Sequence, residues 1–217
     1  MSQEDRGFEM YLHGEKLWFD GNFNESVQTL RNALEFVGTP SEKGLVLFEL
    51  GRIYEAASGV DKYMFSVSEG GESYDRSGSE QPVLLDYLDK AIDSFSEASN
   101  LLSGTDAAKA KYQIALATHC KVLYFDEIGQ SARNKDLLVE ALEQLRSGAP
   151  KLNKYDKLHY CFFMHLMALL SFSLYEITHD QRYQNSGKEY CAAAVRAVTE
   201  NHLESSLRSI LDFCLSS

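Results

Sequence analysis

The sequence predicts an all-α fold built from consecutive helix-turn-helix pairs. Apolar residues recur at helical spacing along most of the chain, and no segment shows the strict alternation of a half-buried strand. The prolines at positions 40, 82 and 150 stand where such a pattern begins or ends. Gly14 and Gly51 lie inside two of the patterns. Because a mid-helix glycine costs about 0.5–1 kcal/mol relative to alanine, these two indicate close packing of a neighbouring helix.

The pattern predicts nine helices, of which eight form pairs and the last covers the exposed end of the core. With 217 residues, 44% of them hydrophobic and 24% charged, the chain has the composition of a single globular domain. The expected ranges are 6–20, 23–37, 40–58, 82–102, 106–128, 134–147, 154–178, 180–199 and 202–215.

Capping signals fix two of the helix starts. Thr39, Pro40 and Glu42 have the order of an N-cap, a first-turn proline and the acid of a capping box. Asn201 and Glu204 repeat the capping-box spacing, and they predict the start of an amphipathic last helix.

The first two helix pairs show the same arrangement of small and large residues. Gly14 and Gly51 are separated by 51 minus 14, or 37 residues, which is close to the length of a helix-turn-helix repeat. The partner helices share a spacing of small, large and small residues, which are Ser26, Leu30 and Ala33 in one helix and Ala91, Phe95 and Ala98 in the other. Small residues facing each other let two helix axes approach, while the large residue fills the groove beside them.

This pattern resembles the tetratricopeptide repeat, which has Leu-Gly and then Tyr in its first helix and Ala, Phe or Leu, and Ala in its second. Leu50, Gly51 and Tyr54 match the first helix, and the set around Phe95 matches the second. Recognisable motif residues cover about the first half of the chain, up to residue 103, and helical rhythm alone covers the rest. The resemblance implies a right-handed α-α superhelix with a concave groove.

The resemblance also implies a site, because the first helix of each pair lines the groove and proteins of this family hold peptides or partner helices there. The residues placed in the groove are Phe8, Tyr11, Glu15, Trp18 and Phe19 from the first pair, and Leu45, Phe48, Arg52 and Glu55 from the second. Two interpretations stay open for these aromatic residues: they contact a ligand, or they form the core between repeats.

Charge restricts the class of partner. The net charge of −11 disfavours nucleic acids and anionic membranes and favours a basic or amphipathic protein segment. Chaperone-binding members of the family grip a C-terminal carboxylate with a lysine and two asparagines, and the corresponding positions here are Tyr11, Glu15 and Glu49. Because two acids would repel a carboxylate, we do not expect a partner of that type.

An insertion at 59–81 interrupts the repeat rhythm. Its glycines, serines and acids predict a flexible surface loop without a regular element. Either the loop has no role, or it regulates the groove. In the regulatory interpretation, an apolar trio would dock into the groove and two serines would accept phosphate. The residues concerned are Tyr63, Met64, Phe65, Ser66 and Ser77.

No catalytic motif is present, and we expect neither enzymatic activity nor a cofactor. The nearest approach to a metal site is Cys161 with His165, together with His119 and Cys120 on an earlier helix. The four cysteines lack the close pairing of zinc or redox motifs, so we expect buried reduced thiols and no bound metal.

The segment 158–175 contains no Asp, Glu, Lys or Arg, which allows either a membrane span or a central packed helix. Histidines and serines within it favour the packed helix.

The acidic N-terminus lacks the features of an export signal, so we expect a cytoplasmic protein. The expected function is a non-catalytic adaptor or scaffold. The alternative is a receptor that encloses an apolar small molecule or lipid near Phe162, Phe163, Met164 and Met167.

Overall fold

The computed structural model describes residues 3–63, 83–205 and 207–217. Those residues form nine α-helices and contain no β-strand, which confirms the prediction of an all-α fold. The helices are α1 (Gln3–Phe19), α2 (Phe23–Phe36), α3 (Pro40–Ala57), α4 (Leu85–Leu101), α5 (Gly104–Glu127), α6 (Asn134–Tyr155), α7 (Lys157–Thr178), α8 (Gln181–Glu200) and α9 (Arg208–Ser216).

The helices pack mainly against their neighbours in the chain. The most extensive contacts join α1 to α2, α3 to α4, α5 to α6 and α7 to α8, and α9 packs on α8 and α7. One large apolar cluster is buried among α1 to α4 and the first half of α5, and another extends from α5 to α9. Because α5 contributes to both clusters, it connects the two halves of the core.

Glycine contacts set the close approach within the first two pairs. A Cβ atom on Gly14 would lie 2.6 Å from Cγ of Leu30, and a Cβ atom on Gly51 would lie 2.6 Å from Cδ1 of Phe95. Leu30 and Phe95 are fully buried. The Ser26 hydroxyl donates a hydrogen bond of 2.7 Å to the carbonyl oxygen of Gly14. These contacts confirm that a partner helix lies too close to Gly14 and Gly51 for a side chain.

A second pair of glycines repeats this arrangement two turns earlier in α1 and α3. A Cβ atom on Gly7 would lie 2.8 Å from the backbone nitrogen of Val37, and one on Gly44 would lie 2.7 Å from Cγ of Leu102. Gly7 and Gly44 are again separated by 44 minus 7, or 37 residues. Since position numbers rise along one helix as they fall along its partner, both pairs are antiparallel.

The predicted capping box at α3 is confirmed. The Thr39 hydroxyl accepts a hydrogen bond of 3.2 Å from the Glu42 backbone N–H, and the Glu42 carboxylate accepts one of 3.0 Å from the Thr39 backbone N–H. Pro40 occupies the first helical position, where no backbone donor is needed.

Two predicted helix ends are wrong. Helix α6 does not stop at residue 147 but continues through Pro150 to Tyr155. Gly148 and Leu152 are buried on either side of the proline, and Gly148 lies against Phe163 of α7. Packing of this buried face therefore holds the helix despite the missing donor, while Pro150 faces solvent.

The last helix starts later than predicted, at Arg208 instead of 202. The Asn201 side chain does not cap it. Its amide donates a hydrogen bond of 2.7 Å to the carbonyl oxygen of Ala197, which serves the C-terminus of α8. A side chain that can both donate and accept fits either helix end, and here it closes the preceding helix.

The segment after α3 begins with regular structure. Val60–Tyr63 form a 3₁₀ turn, and Val60 is fully buried in a small cluster with Leu88 and Ala117. The Leu84 backbone N–H donates a hydrogen bond of 2.8 Å to the carbonyl oxygen of Ser58, which joins the two ends of the insertion. The start of the segment predicted as an irregular loop is therefore anchored to α4 and α5.

Candidate partner-binding surface

Helices α1 and α3 present equivalent positions on one surface, which we call the α1–α3 face. A shift of 37 residues moves Phe8 to Leu45, Tyr11 to Phe48 and Glu15 to Arg52. Spacings of three, four and seven residues place each set on one side of its helix. The α1–α3 face is defined by Phe8, Tyr11, Glu15, Leu45, Phe48, Glu49 and Arg52.

The apolar part of the α1–α3 face combines exposed and anchored side chains. Phe8 is 59% exposed and stacks on Tyr11 with 6.2 Å between ring centroids, and Leu45 is 46% exposed. Phe48 is half-buried and packs edge-on against Phe95 at 5.5 Å, so its ring is held by the core. A ligand bound here would contact exposed apolar side chains and, next to them, an aromatic side chain whose position is fixed by the core.

Charged groups border this apolar area. Arg52 Nη1 donates a hydrogen bond of 3.0 Å to Oε2 of Glu49, which is only 4% exposed. The Tyr11 hydroxyl donates one of 3.3 Å to Oε1 of Glu15. Glu15 and Glu49 together outnumber the single cation Arg52, so the border has a net negative charge.

Electrostatic interactions show that these groups belong to one cluster. Burial raises the pKa of Glu49, the Arg52 guanidinium opposes that rise, and the Glu15 carboxylate adds to it. Burial, together with the Glu15 and Glu49 carboxylates, raises the pKa of Tyr11 to about 12. A cation placed here by a ligand would relieve the repulsion between the carboxylates.

The three other residues predicted for the groove differ in their surroundings. Trp18 is half-buried and packs edge-on against Phe23, 6.3 Å between centroids, in an aromatic cluster that joins the first two helix pairs. Glu55 is 7% exposed, and its carboxylate adds to the effect of burial in raising the pKa of Tyr112 in α5. Phe19 is 77% exposed at the end of α1, where no ring contact holds it to the α1–α3 face among the described residues.

Of the residues predicted to regulate the groove, only Tyr63 is described. Its hydroxyl donates a hydrogen bond to the Glu127 carboxylate of α5, and its ring packs on the cluster around Val60. Tyr63 therefore lies against α5 and not on the α1–α3 face. The other predicted residues, Met64, Phe65, Ser66 and Ser77, lie outside the described residues.

The histidines singled out as metal candidates are buried in the core. His119 and His165 are 4% and 6% exposed, and burial lowers the pKa of each to about 4. His165 packs edge-on against Phe213 of α9 at 4.9 Å. Within the described ranges, no group of three or more His, Cys, Asp or Glu side chains has an arrangement that could hold a metal ion.

Helix α7 is the one described helix whose length and composition would suffice to cross a membrane. The core helix of a soluble protein passes the same test, and 56% of the apolar window of α7 is buried by the rest of the chain. The buried residues include Phe163, Leu166 and Leu170, which belong to the large cluster between α5 and α9.

Comparison with known proteins gives no assignment. No protein-family model matches the chain, and no curated protein is significantly similar to it.

Proposed function

We propose that this protein is a non-catalytic cytoplasmic adaptor with a tetratricopeptide-like superhelix, and that it binds a helix or peptide segment of another protein on the α1–α3 face. The observation that carries the proposal is that Phe8 and Leu45 are exposed and that Tyr11, on which Phe8 stacks, interacts with the buried carboxylate of Glu49. Exposed apolar area with a polar border is typical of protein interaction sites.

The chemistry of the α1–α3 face favours an amphipathic, basic partner. An apolar side chain of the partner would cover Phe8 and Leu45, and a Lys or Arg would lie beside Glu15 and Glu49. The net charge of −11 would attract such a segment and speed its association. A free C-terminal carboxylate would meet repulsion at the same place.

A peptide-display selection on the wild-type chain tests this proposal. We expect selected peptides to carry apolar residues at helical spacing together with Lys or Arg. The variant Phe8→Ser/Leu45→Ser should weaken their binding, measured by fluorescence anisotropy, by tenfold or more, about 1.4 kcal/mol. The control Leu84→Ser/Tyr155→Ser removes side chains that are 45% and 68% exposed, one just before α4 and one at the end of α6, and it should bind as the wild type does.

Equal weakening by both variants, or peptides without a cationic preference, would contradict the proposal.

The alternative function is a receptor for an apolar small molecule. In the region proposed for that ligand, side chains are packed against each other: Phe163 is buried and stacks on Tyr112 at 5.4 Å, and Met164 and Met167 belong to the large core cluster. A fluorescent fatty acid that binds with the same affinity to the wild type and to the α1–α3 face variant would favour the receptor.

A further inference from the structure

The last two helices bring two cysteines together. Cys191 lies in α8 and Cys214 in α9, both thiols are reduced, and both residues line the same surface pocket between the two helices. Cys191 is 4% exposed, whereas Cys214 is partly exposed. A disulfide needs Cβ atoms about 3.5–4.5 Å apart, so two cysteines on adjacent packed helices that share one small pocket are candidates for this bond.

The pair is reached from solvent on the side of Cys214, which is partly exposed. The two thiols line an open surface pocket of about 360 Å³ between α8 and the C-terminal residues. Lys188 and Arg196, which also line it, add two positive charges, one turn before Cys191 and about one and a half turns after it. By contrast, Cys120 and Cys161 are fully buried in the core. The pocket therefore makes the pair more accessible than the other two cysteines.

The surroundings favour the thiolate form of Cys191. Interaction with the Cys214 thiol is the main cause that lowers the pKa of Cys191 below its usual value, and burial opposes this shift. Interaction with Cys191 is the larger cause that raises the pKa of Cys214, and burial is the second. One cysteine is thus suited to react as a nucleophile, and its neighbour keeps its proton until a second step.

We propose that Cys191 and Cys214 form a reversible disulfide when the protein meets hydrogen peroxide. The Cys191 thiolate attacks one peroxide oxygen, the O–O bond breaks, and hydroxide leaves with the proton released by the thiol to give water. The resulting sulfenic acid is attacked by the sulfur of Cys214, the S–O bond breaks, and a second water leaves. Two thiols are oxidised and one peroxide is reduced to two waters.

The disulfide would attach the last helix covalently to α8. In the reduced protein α9 is held by packing, in which Ile210 is fully buried and Phe213 lies against His165. A cross-link at Cys214 would restrict local opening of α9, because the helix could no longer separate from α8.

Titration of the full chain with hydrogen peroxide, followed by alkylation and mass spectrometry, tests the site. We expect the four alkylated cysteines to fall to two, with a single linked peptide pair containing Cys191 and Cys214, and dithiothreitol to restore all four. Cys120 and Cys161 serve as internal controls that remain thiols. Hydrogen exchange of 208–217 should slow at least severalfold on oxidation and recover on reduction.

Single cysteine variants show which of the two thiols reacts with peroxide first. With Cys214→Ser, peroxide should leave a trappable sulfenic acid on Cys191, and with Cys191→Ser, Cys214 should react much more slowly than the pair does in the wild type. The proposal is overturned if Cys120 or Cys161 reacts as fast as the pair, if Cys214 reaches sulfinic acid without a linked peptide, or if all four thiols survive the treatment.

Discussion

Replacing Gly51 by valine is expected to lower the free energy of unfolding by about 3 kcal/mol, at the upper end of the usual penalty for overpacking a core. Even the first atom of a side chain, Cβ, would lie 2.6 Å from the Phe95 ring. That ring is fully buried and also contacts Phe48, so it cannot move aside without disturbing a second contact. Urea unfolding followed by circular dichroism measures the change.

A matched control separates overpacking from helix propensity. Ala56→Val adds bulk at an exposed position of the same helix and should cost no more than about 0.7 kcal/mol. Shrinking the obstructing ring with Phe95→Leu should make Gly51→Val less harmful in the double variant, with a coupling of about 1 kcal/mol or more. Equal costs for Gly51→Val and Ala56→Val, with no coupling to Phe95, would contradict the close contact.

Acidification from pH 6.5 to pH 4 is expected to remove about 3 kcal/mol of stability through His119 alone. Burial lowers the pKa of His119 to about 4, whereas the pKa of a histidine in the unfolded chain is about 6.5. The unfolded chain therefore binds more protons in this window, so this contribution is fully present above pH 6.5 and is lost as the pH falls towards 4. His165, with the same direction of shift, adds to the loss.

The slope of stability against pH identifies the group. Urea unfolding of His119→Gln at several pH values should show a decrease shallower by up to one proton, about 1.4 kcal/mol per pH unit. His202→Gln, at an exposed position, is the control for removing a histidine outside the core. Identical slopes for wild type and His119→Gln would show that the His119 pKa is not lowered by folding.

The close helix contacts could be predicted from sequence because the residues that make them are unusual inside a helix. Gly14 and Gly51 are unfavourable in a helix interior, and their persistence indicates a steric reason. Gly7 and Gly44 carry the same information at the same separation, but each lies only five residues into its helix, so a later helix start would have placed it outside the helix. The capping box at Thr39 was predictable because both of its hydrogen bonds are local.

Helix ends decided by tertiary contacts could not be predicted in the same way. Pro150 normally ends a helix, yet burial of Gly148 and Leu152 keeps α6 intact, and that burial depends on α5 and α7. Asn201 fits a cap at either helix end, and its choice depends on where the chain turns.

The candidate site was predictable in part. Helical spacing places Phe8, Tyr11 and Trp18 on one side of α1, but only the packed structure distinguishes the exposed Phe8 from Trp18 in the aromatic cluster. Glu49 was noted in the sequence only as an obstacle to carboxylates. Its place beside Tyr11 and Arg52 follows from the approach of α1 to α3, which spacing within one helix does not specify.

Hydrogen exchange of the wild-type chain with and without a selected basic peptide tests the binding surface most directly. The account predicts slower exchange in 8–15 and 45–52, with little change in α6 to α8. Slowing confined to α6, α7 and α8, or absent from both α1 and α3 at saturating peptide, would contradict it.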